Sequence, residues 1–231
     1  MKLALKGRLR SIADKVPVCE ILYDVGSDHG YLGAYCVSTG KSRRAVLSDI
    51  KPSPAILSFK NTRAYGLGKK TETIIADGLE HIDPDMSADY VIVIAGMGGA
   101  TVAAILDAGY QAAASAKAII LQPMNSPDIA AEWLIDHHYE IYDEELVKED
   151  RRIYVIISAR KLPESSPEAA GRVAPAISGQ YGILPYRYFG RILEAKGGLL
   201  LSEYAEKAAA HFKRVTEGNR SQREKEGNIQ K

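Results

Sequence analysis

Cysteine is nearly absent from this chain of 231 residues: only Cys19 and Cys36 occur, and they do not form a Cys-x-x-Cys pair. A disulfide framework and a thiolate zinc site are therefore not expected, and both thiols should be buried and reduced. Long apolar runs are missing too. Stretches such as Ala118 to Leu121 fall far short of the roughly 20 residues a membrane-crossing helix needs, so no membrane association is expected. The start, Met1-Lys2-Leu3-Ala4-Leu5-Lys6, has no long apolar stretch and no small-residue cleavage site, which predicts no secretion signal and a cytoplasmic protein. Charge of one sign is also lacking. With 30 Lys and Arg against 29 Asp and Glu the net charge is +1, so a nucleic-acid partner would need a local basic patch. His137 and His138 adjoin at a helix end and point apart, which suits the helix dipole better than a metal, and no metal site is expected.

What is present is an ordinary globular composition, 46% hydrophobic and 26% charged, in a chain long enough for one α/β domain and a smaller appendage. Leu5, Leu9, Ile12 and Val16 fall at helical spacing among Lys2, Lys6, Arg8, Arg10 and Lys15, which predicts a basic amphipathic helix over residues 2–16, ended by Pro17. Five short runs rich in Ile and Val follow: Glu20–Val25, Ala45–Ile50, Thr73–Ala76, Tyr90–Ala95 and Ala118–Gln122. They read as parallel strands covered on both faces. Helices fit between them, with Ser53-Pro54 and Ser126-Pro127 as start signals. The rhythm then breaks. Tyr139–Val147 and Ile153–Ala159 are both strand-like and lie too close for a crossover, so they must pair as an antiparallel hairpin. An α/β sheet, mostly parallel with a terminal antiparallel hairpin, is the Rossmann-like arrangement of class I methyltransferases, whereas dinucleotide dehydrogenases usually continue parallel. Residues 1–160 are expected to form this domain. Residues 161–231 are expected to hold a linker over Pro163–Pro175 and a small C-terminal helical region. That region should have one helix from Leu184 to Lys196, a break at Gly197-Gly198, and a second helix from Leu199 to Glu217 striped by Leu201, Tyr204, Ala208, Phe212 and Val215. The polar stretch from Gly218 onward should fray.

The loop Asp24-Val25-Gly26-Ser27-Asp28-His29-Gly30 follows the first strand and opens a helix, where open α/β sheets bind nucleotides. Gly26 suits a tight turn and Gly30 a close helix–strand approach. Glycines alone are a weak signal. The aspartates say more: Asp28 stands where a dinucleotide fingerprint needs a glycine against the pyrophosphate, and a carboxylate there would repel phosphate. S-adenosylmethionine has no phosphate and carries a sulfonium and an ammonium, which Asp24 and Asp28 would attract. Asp49, 23 positions beyond Gly26, can accept from ribose hydroxyls, and Asp77 from an adenine amino group, with Gly78 leaving room for the ring. Each aspartate singly would be an ordinary loop or cap residue. An NAD-dependent oxidoreductase and a non-catalytic S-adenosylmethionine-binding interaction module remain the alternatives.

Four segments, Ser27-Asp28-His29-Gly30-Tyr31-Leu32, Asp77-Gly78-Leu79-Glu80, Ile94-Ala95-Gly96-Met97-Gly98-Gly99 and Leu121-Gln122-Pro123-Met124-Asn125, together resemble the bacterial tRNA adenine-N1 methyltransferases that modify position 22 in the D-arm. The resemblance runs through about Ala159. It implies S-adenosylmethionine as cofactor, tRNA as partner, and methyl transfer to N1 of an adenine. Ser27, His29, Ile50, Ala95, Gly96 and Met97 would join the cofactor site. Gly98, Gly99, Gln122 and Pro123 would face the substrate, with Tyr31 and Asn125 positioning it. Related sequences commonly read Gln-Pro-Asn, and here Met124 intervenes. Tyr31 is equally readable as a core tyrosine at a helix start. His29 suits a structural or cofactor-adjacent role. For the RNA, the resemblance turns attention to the basic N-terminal helix, Arg8 and Arg10 above all, and secondarily to Lys213, Arg214, Arg220 and Arg223, although charged helix faces are usually only solvated surface.

Overall fold

A computed structural model describes residues 3–163, 177–179, 182–184, 191–210 and 213–214. The chain divides into two compact units, Met1–Arg172 and Val173–Lys231. The first contains α1 (Gly7–Lys15), β1 (Cys19–Val25), α2 (Tyr31–Ser38), β2 (Ser42–Asp49), α3 (Pro52–Ala64), β3 (Thr71–Ile75), β4 (Tyr90–Met97), α4 (Gly99–Ala108), α5 (Tyr110–Ser115), β5 (Ala118–Pro123), α6 (Pro127–Asp136), β6 (Tyr139–Glu149) and β7 (Arg152–Lys161). The sheet runs β3-β2-β1-β4-β5-β7-β6. Its first five strands pair in parallel, and β7 pairs antiparallel with both β5 and β6. The predicted hairpin is therefore present, and it gives the sheet the class I methyltransferase order.

The central strands are buried on both faces, which explains why they read as unbroken apolar runs rather than alternating ones. Val91, Ile92, Val93 and Ile94 of β4 and Ile119, Ile120 and Leu121 of β5 are wholly buried. Helix α1 closes one side: its Ile12 and Ala13 join Leu22, Cys36, Val93, Ile120 and Ile156 in one cluster. Both cysteines are buried free thiols. The helix begins at Gly7, not at residue 2 as periodicity suggests. Gly7 has φ +53, and a right-handed helix cannot run through a left-handed residue.

In the second unit, β8 (Ile177–Gly179) pairs antiparallel with β9 (Gly182–Leu184), and α7 spans Arg191–Lys196. The helix expected from Leu184 is thus corrected: Leu184 ends a strand opposite Ile177, and the helical part starts at Arg191. Gly197 and Gly198 break the helix as expected, with φ +64 and +102, and helix resumes over 199–210 and 213–214. The expected linker after Pro163, Phe212 and Val215 of the stripe, and the tail with Arg220 and Arg223 lie outside the described residues. No described helix is long and apolar enough to cross a membrane.

Gly99 shows how tightly the site's frame is packed. Its N–H donates to the Asn125 carbonyl at 3.0 Å, and a Cβ placed on Gly99 would overlap the carbonyl oxygen of Ser126. Gly99→Ala should therefore destabilise the protein by about 1–3 kcal/mol, as overpacking does. Urea unfolding checks this, and an unchanged midpoint would show that the 125–126 turn yields freely.

Candidate functional site

The order of the strands puts a crevice beyond their carboxyl ends. From β1 the chain winds outward through β2 to β3, then returns to β4 on the other side of β1, so the loops after β1 and β4 part there. A cleft of about 610 Å³ opens at this point. It is lined by Asp24 near the end of β1, by Gly26, Ser27, Asp28, His29 and Tyr31 after it, by Asp49 at the end of β2 and by Ile50 beyond it. Asp77 and Gly78 after β3, Ala95, Gly96 and Met97 at the end of β4, and Arg8 of α1 complete the expected residues found there.

The turn after β1 has three left-handed residues in five: Gly26 at φ +71, Asp28 at +50 and Gly30 at +70. Aspartate is one of the few residues that tolerates this conformation, so Asp28 occupies a glycine-like backbone position without being glycine. The N–H groups of Gly26 and Ser27 both donate to the Ser48 carbonyl, at 2.8 and 2.9 Å, which ties the turn to the end of β2. Gly30 does not line the cleft. It sits against Leu47 and Ser58, where a Cβ would collide with both, and so it sets how closely α2 and α3 approach.

The acidic residues are not equivalent. Asp24 is buried, and its carboxylate accepts one hydrogen bond, from the Gly33 N–H in the first turn of α2 at 3.1 Å. Burial pushes it up to about 7, against the smaller opposing pull of that bond. Asp28 is exposed and lies 3.3 Å from the His29 ring nitrogen, and the His29 ring is parallel to Tyr31 at 5.5 Å. Asp49 accepts from the Lys51 N–H at 2.9 Å with one oxygen, leaving the other free for a ligand. Ser27 has a buried hydroxyl without a partner. A cationic group, a vicinal diol and a flat ring are the chemical features this set can hold: Asp24 for the cation, Asp49 for the diol, and Ile50, 59% exposed, for the ring.

The loop after β4 is organised from below by Gln122. Gly96 is the extra residue where the β4–β5 register shifts between Ala95 and Met97, a β-bulge with φ +81. The wholly buried Gln122 accepts from the Gly96 N–H at 3.3 Å and from the Arg8 guanidinium, and donates to the Pro123 carbonyl at 2.9 Å. Gln122, Pro123, Gly98, Gly99 and Asn125 do not line the cleft. They form its support: the Met124 N–H donates to the Met97 carbonyl at 2.7 Å, and a Cβ on Gly98 would press against the Asn125 side chain.

Arg8 and Arg10 part company. Arg8 turns inward to Gln122, lies over Tyr154 and is 3.7 Å from Glu149. Arg10 points away from the cleft, paired with Asp14 at 2.9 Å and placed over Tyr35. In the second unit Arg214 donates to the Ala210 carbonyl and Lys213 is exposed. His137 stacks on Trp133 at 4.0 Å and bonds its carbonyl, while His138 turns away at φ +59. Sequence reasoning missed Leu9, Leu32, Ala76, Thr101, Ile105 and Met124, which also line the cleft. Ala76 and Met124 adjoin segments already singled out; Leu9, Thr101 and Ile105 come from helices whose facing only the fold determines.

The model of a family described as a methyltransferase domain matches residues 5–157. The tRNA (adenine(22)-N(1))-methyltransferase of Bacillus subtilis is 35% identical over 158 residues, 68% of this chain and 66% of that protein. The crystal structure of the Bacillus subtilis m1A22 tRNA methyltransferase TrmK superposes with a TM-score of 0.76 at 29% identity, covering 94% of this chain and 88% of that one. A Streptococcus pneumoniae structure in complex with S-adenosyl-L-methionine does so with a TM-score of 0.76 at 28% identity, covering 92% and 91%. With the sheet order, the cleft at its switch point and these likenesses in hand, the chain belongs to the methyltransferase-domain family, among the relatives of the tRNA (adenine(22)-N(1))-methyltransferases.

Proposed function

We propose that this protein transfers a methyl group from S-adenosylmethionine to N1 of an adenine in tRNA, the D-arm adenine at position 22. The observation that carries the cofactor half is Asp24, a buried carboxylate at the wall of the cleft that has no cationic partner among the described residues. A phosphate-bearing dinucleotide would add negative charge beside it, which disfavours the oxidoreductase alternative. The substrate half rests on the relatives described above, which also favour an enzyme over a non-catalytic module.

The bound cofactor supplies an electrophilic methyl group on a positively charged sulfur. Adenine N1 carries no proton at neutral pH and attacks through its lone pair, so the chain needs no general base. Its task is positioning, which can supply about 7–11 kcal/mol of the barrier. Asp24 and the Ser27 hydroxyl hold the amino-acid end of the cofactor, Asp49 its ribose, and Asp77 and Ile50 its adenine. N1 lies on the pairing edge, so the target base must leave its stack and enter the cleft. Tyr31, beside the turn and parallel to His29, offers a flat face to receive it. Gly96 leaves room for the base to approach the backbone, and Gln122 and Arg8 keep that bulge from shifting. Asn125, Gly98 and Gly99 act one layer further back, holding the loop rather than touching the base.

Incubating the protein with unmodified tRNA and labelled methyl donor, then digesting to nucleosides, should yield labelled 1-methyladenosine; its absence would sink the assigned activity.

Asp24 also predicts a pH dependence. A cation beside it favours the ionised carboxylate, so below about pH 7 binding the donor must first release a proton. Affinity for S-adenosylmethionine should rise with pH by up to about tenfold per unit and level off above about 7. Folding has the opposite sign: the folded value lies above the roughly 3.9 of an unfolded aspartate, so the ligand-free protein loses stability as pH climbs from about 4 to 7. In Asp24→Asn both trends should vanish and affinity at high pH should drop. Calorimetric titration across this range decides, and a wild-type affinity flat with pH would mean that Asp24 does not face the cation.

A further inference from the structure

Helix α3 is built inside out. Its buried residues are Ala55, Ser58 and Thr62, small or polar, whereas Ile56, Leu57 and Phe59 are exposed, Ile56 by 53% and Phe59 by 46%. The segment from Lys51 to Lys70 contains Lys51, Lys60, Arg63, Lys69 and Lys70 and no Asp or Glu. All five cations are exposed, and among the described residues none pairs with a carboxylate. Arg63 instead lies over the Phe59 ring at 4.4 Å. Elsewhere in the first unit several cations do pair with carboxylates: Arg10 with Asp14, Lys15 with Asp143 and Glu145, Arg43 with Glu20, Lys117 with Asp89 and Arg160 with Glu140.

The position of this face matters as much as its composition. Its amino end adjoins the cleft, where Ile50 lines the opening and the Lys51 N–H bonds Asp49. Asn61 donates to the His29 carbonyl at 3.0 Å, which couples the last turn of the helix to the turn after β1. The helix runs for 13 residues, about 20 Å. Unpaired cations interleaved with an aromatic ring and aliphatic side chains are what a nucleic-acid strand recognises: phosphates meet the cations and an unstacked base meets the ring.

We propose that the exposed face of α3 and the turn through Lys70 form the docking surface for the RNA, with the phosphate backbone on Lys60, Arg63, Lys69 and Lys70 and an unstacked base on Phe59. This rests on the reading of the protein as a tRNA methyltransferase. It moves the interface away from the basic N-terminal helix, where Arg8 is turned inward and Arg10 and Lys15 are already neutralised.

The test is binding of unmodified tRNA at several salt concentrations between about 50 and 200 mM, with methyl transfer to the same tRNA followed in parallel. The variant carrying Lys60→Gln, Arg63→Gln, Lys69→Gln and Lys70→Gln should weaken binding at least about tenfold and reduce the slope of log affinity against log salt by about 3. Its affinity for S-adenosylmethionine should stay unchanged, which also shows that it is folded. Phe59→Ala should weaken RNA binding about fivefold or more and leave the salt slope alone. A wild-type enzyme that methylates tRNA, with variants that match it in affinity and slope, overturns the docking surface and leaves the assigned activity standing. A wild-type protein that neither binds nor methylates tRNA overturns the activity and the surface together. Self-association of the wild type that Phe59→Ala abolishes, with RNA affinity unaltered, would assign the face to a second copy of this chain and also overturn the proposal.

Discussion

The cleft depends on a single carbonyl. Ser48, near the end of β2, accepts from both Gly26 and Ser27, and this folds the chain leaving β1 across the mouth of its neighbour instead of letting it run on. To make that turn the backbone must enter the left-handed region three times in five residues, which limits the positions to glycine and to a residue such as aspartate. Everything beyond follows from the close approach so created. Gly30 comes against Ser58 and Leu47, Gly26 leaves space for the Met97 side chain, and the N-terminal turn of α2 is delivered to the buried Asp24.

The cost is a carboxylate in an apolar wall. The Gly33 N–H and the start of α2 favour its ionised form, but burial outweighs them. A buried acid with one hydrogen bond is a poor contributor to stability at neutral pH and is more understandable as one half of a charge pair that a ligand completes. The left-handed backbone and the buried carboxylate lie on the same short segment.

Much of this was legible beforehand, and the reasons for the exceptions are physical. The central strands showed because strands buried on both faces read as apolar runs, whereas the edge strand β3 has no buried residue and is not covered as expected, and the hairpin showed because five residues cannot span a crossover. Nearly all the residues expected at the cofactor site line the cleft, since loops at strand ends in a parallel sheet must converge. What sequence could not weigh was depth. Asp28 and Asp24 look alike as letters, yet Asp28 is exposed and holds a backbone conformation, while Asp24 is buried. Gln122 looked like a substrate contact and is a buried strut, because its amide is absorbed by Gly96, Arg8 and Pro123. Arg8 and Arg10 are two positions apart, and two positions on a helix are about 200°. One therefore enters the cleft wall and the other pairs with Asp14 at the surface. Leu184 ends a strand where helix is expected, because an apolar residue in a short hairpin and one at a helix start carry the same local signal.

The inverted character of α3 follows from the turn after β1. Gly30 must approach the helix closely, so Ser58, which faces it, cannot be large, and the other buried residues of the helix, Ala55 and Thr62, are small or polar too. A helix packed through small side chains draws little hydrophobic stabilisation from that face, and Ile56, Leu57 and Phe59 give up part of theirs by staying partly in water. Packing within the described chain therefore explains the small residues and leaves the large ones without a role. Their company of five cations and no carboxylate narrows the choice, because a surface selected for solubility would mix both signs and a surface selected for a second protein copy would not concentrate one. The same close approach that shapes the cofactor turn thus frees the outer face of its supporting helix to serve a polyanion entering the adjoining cleft.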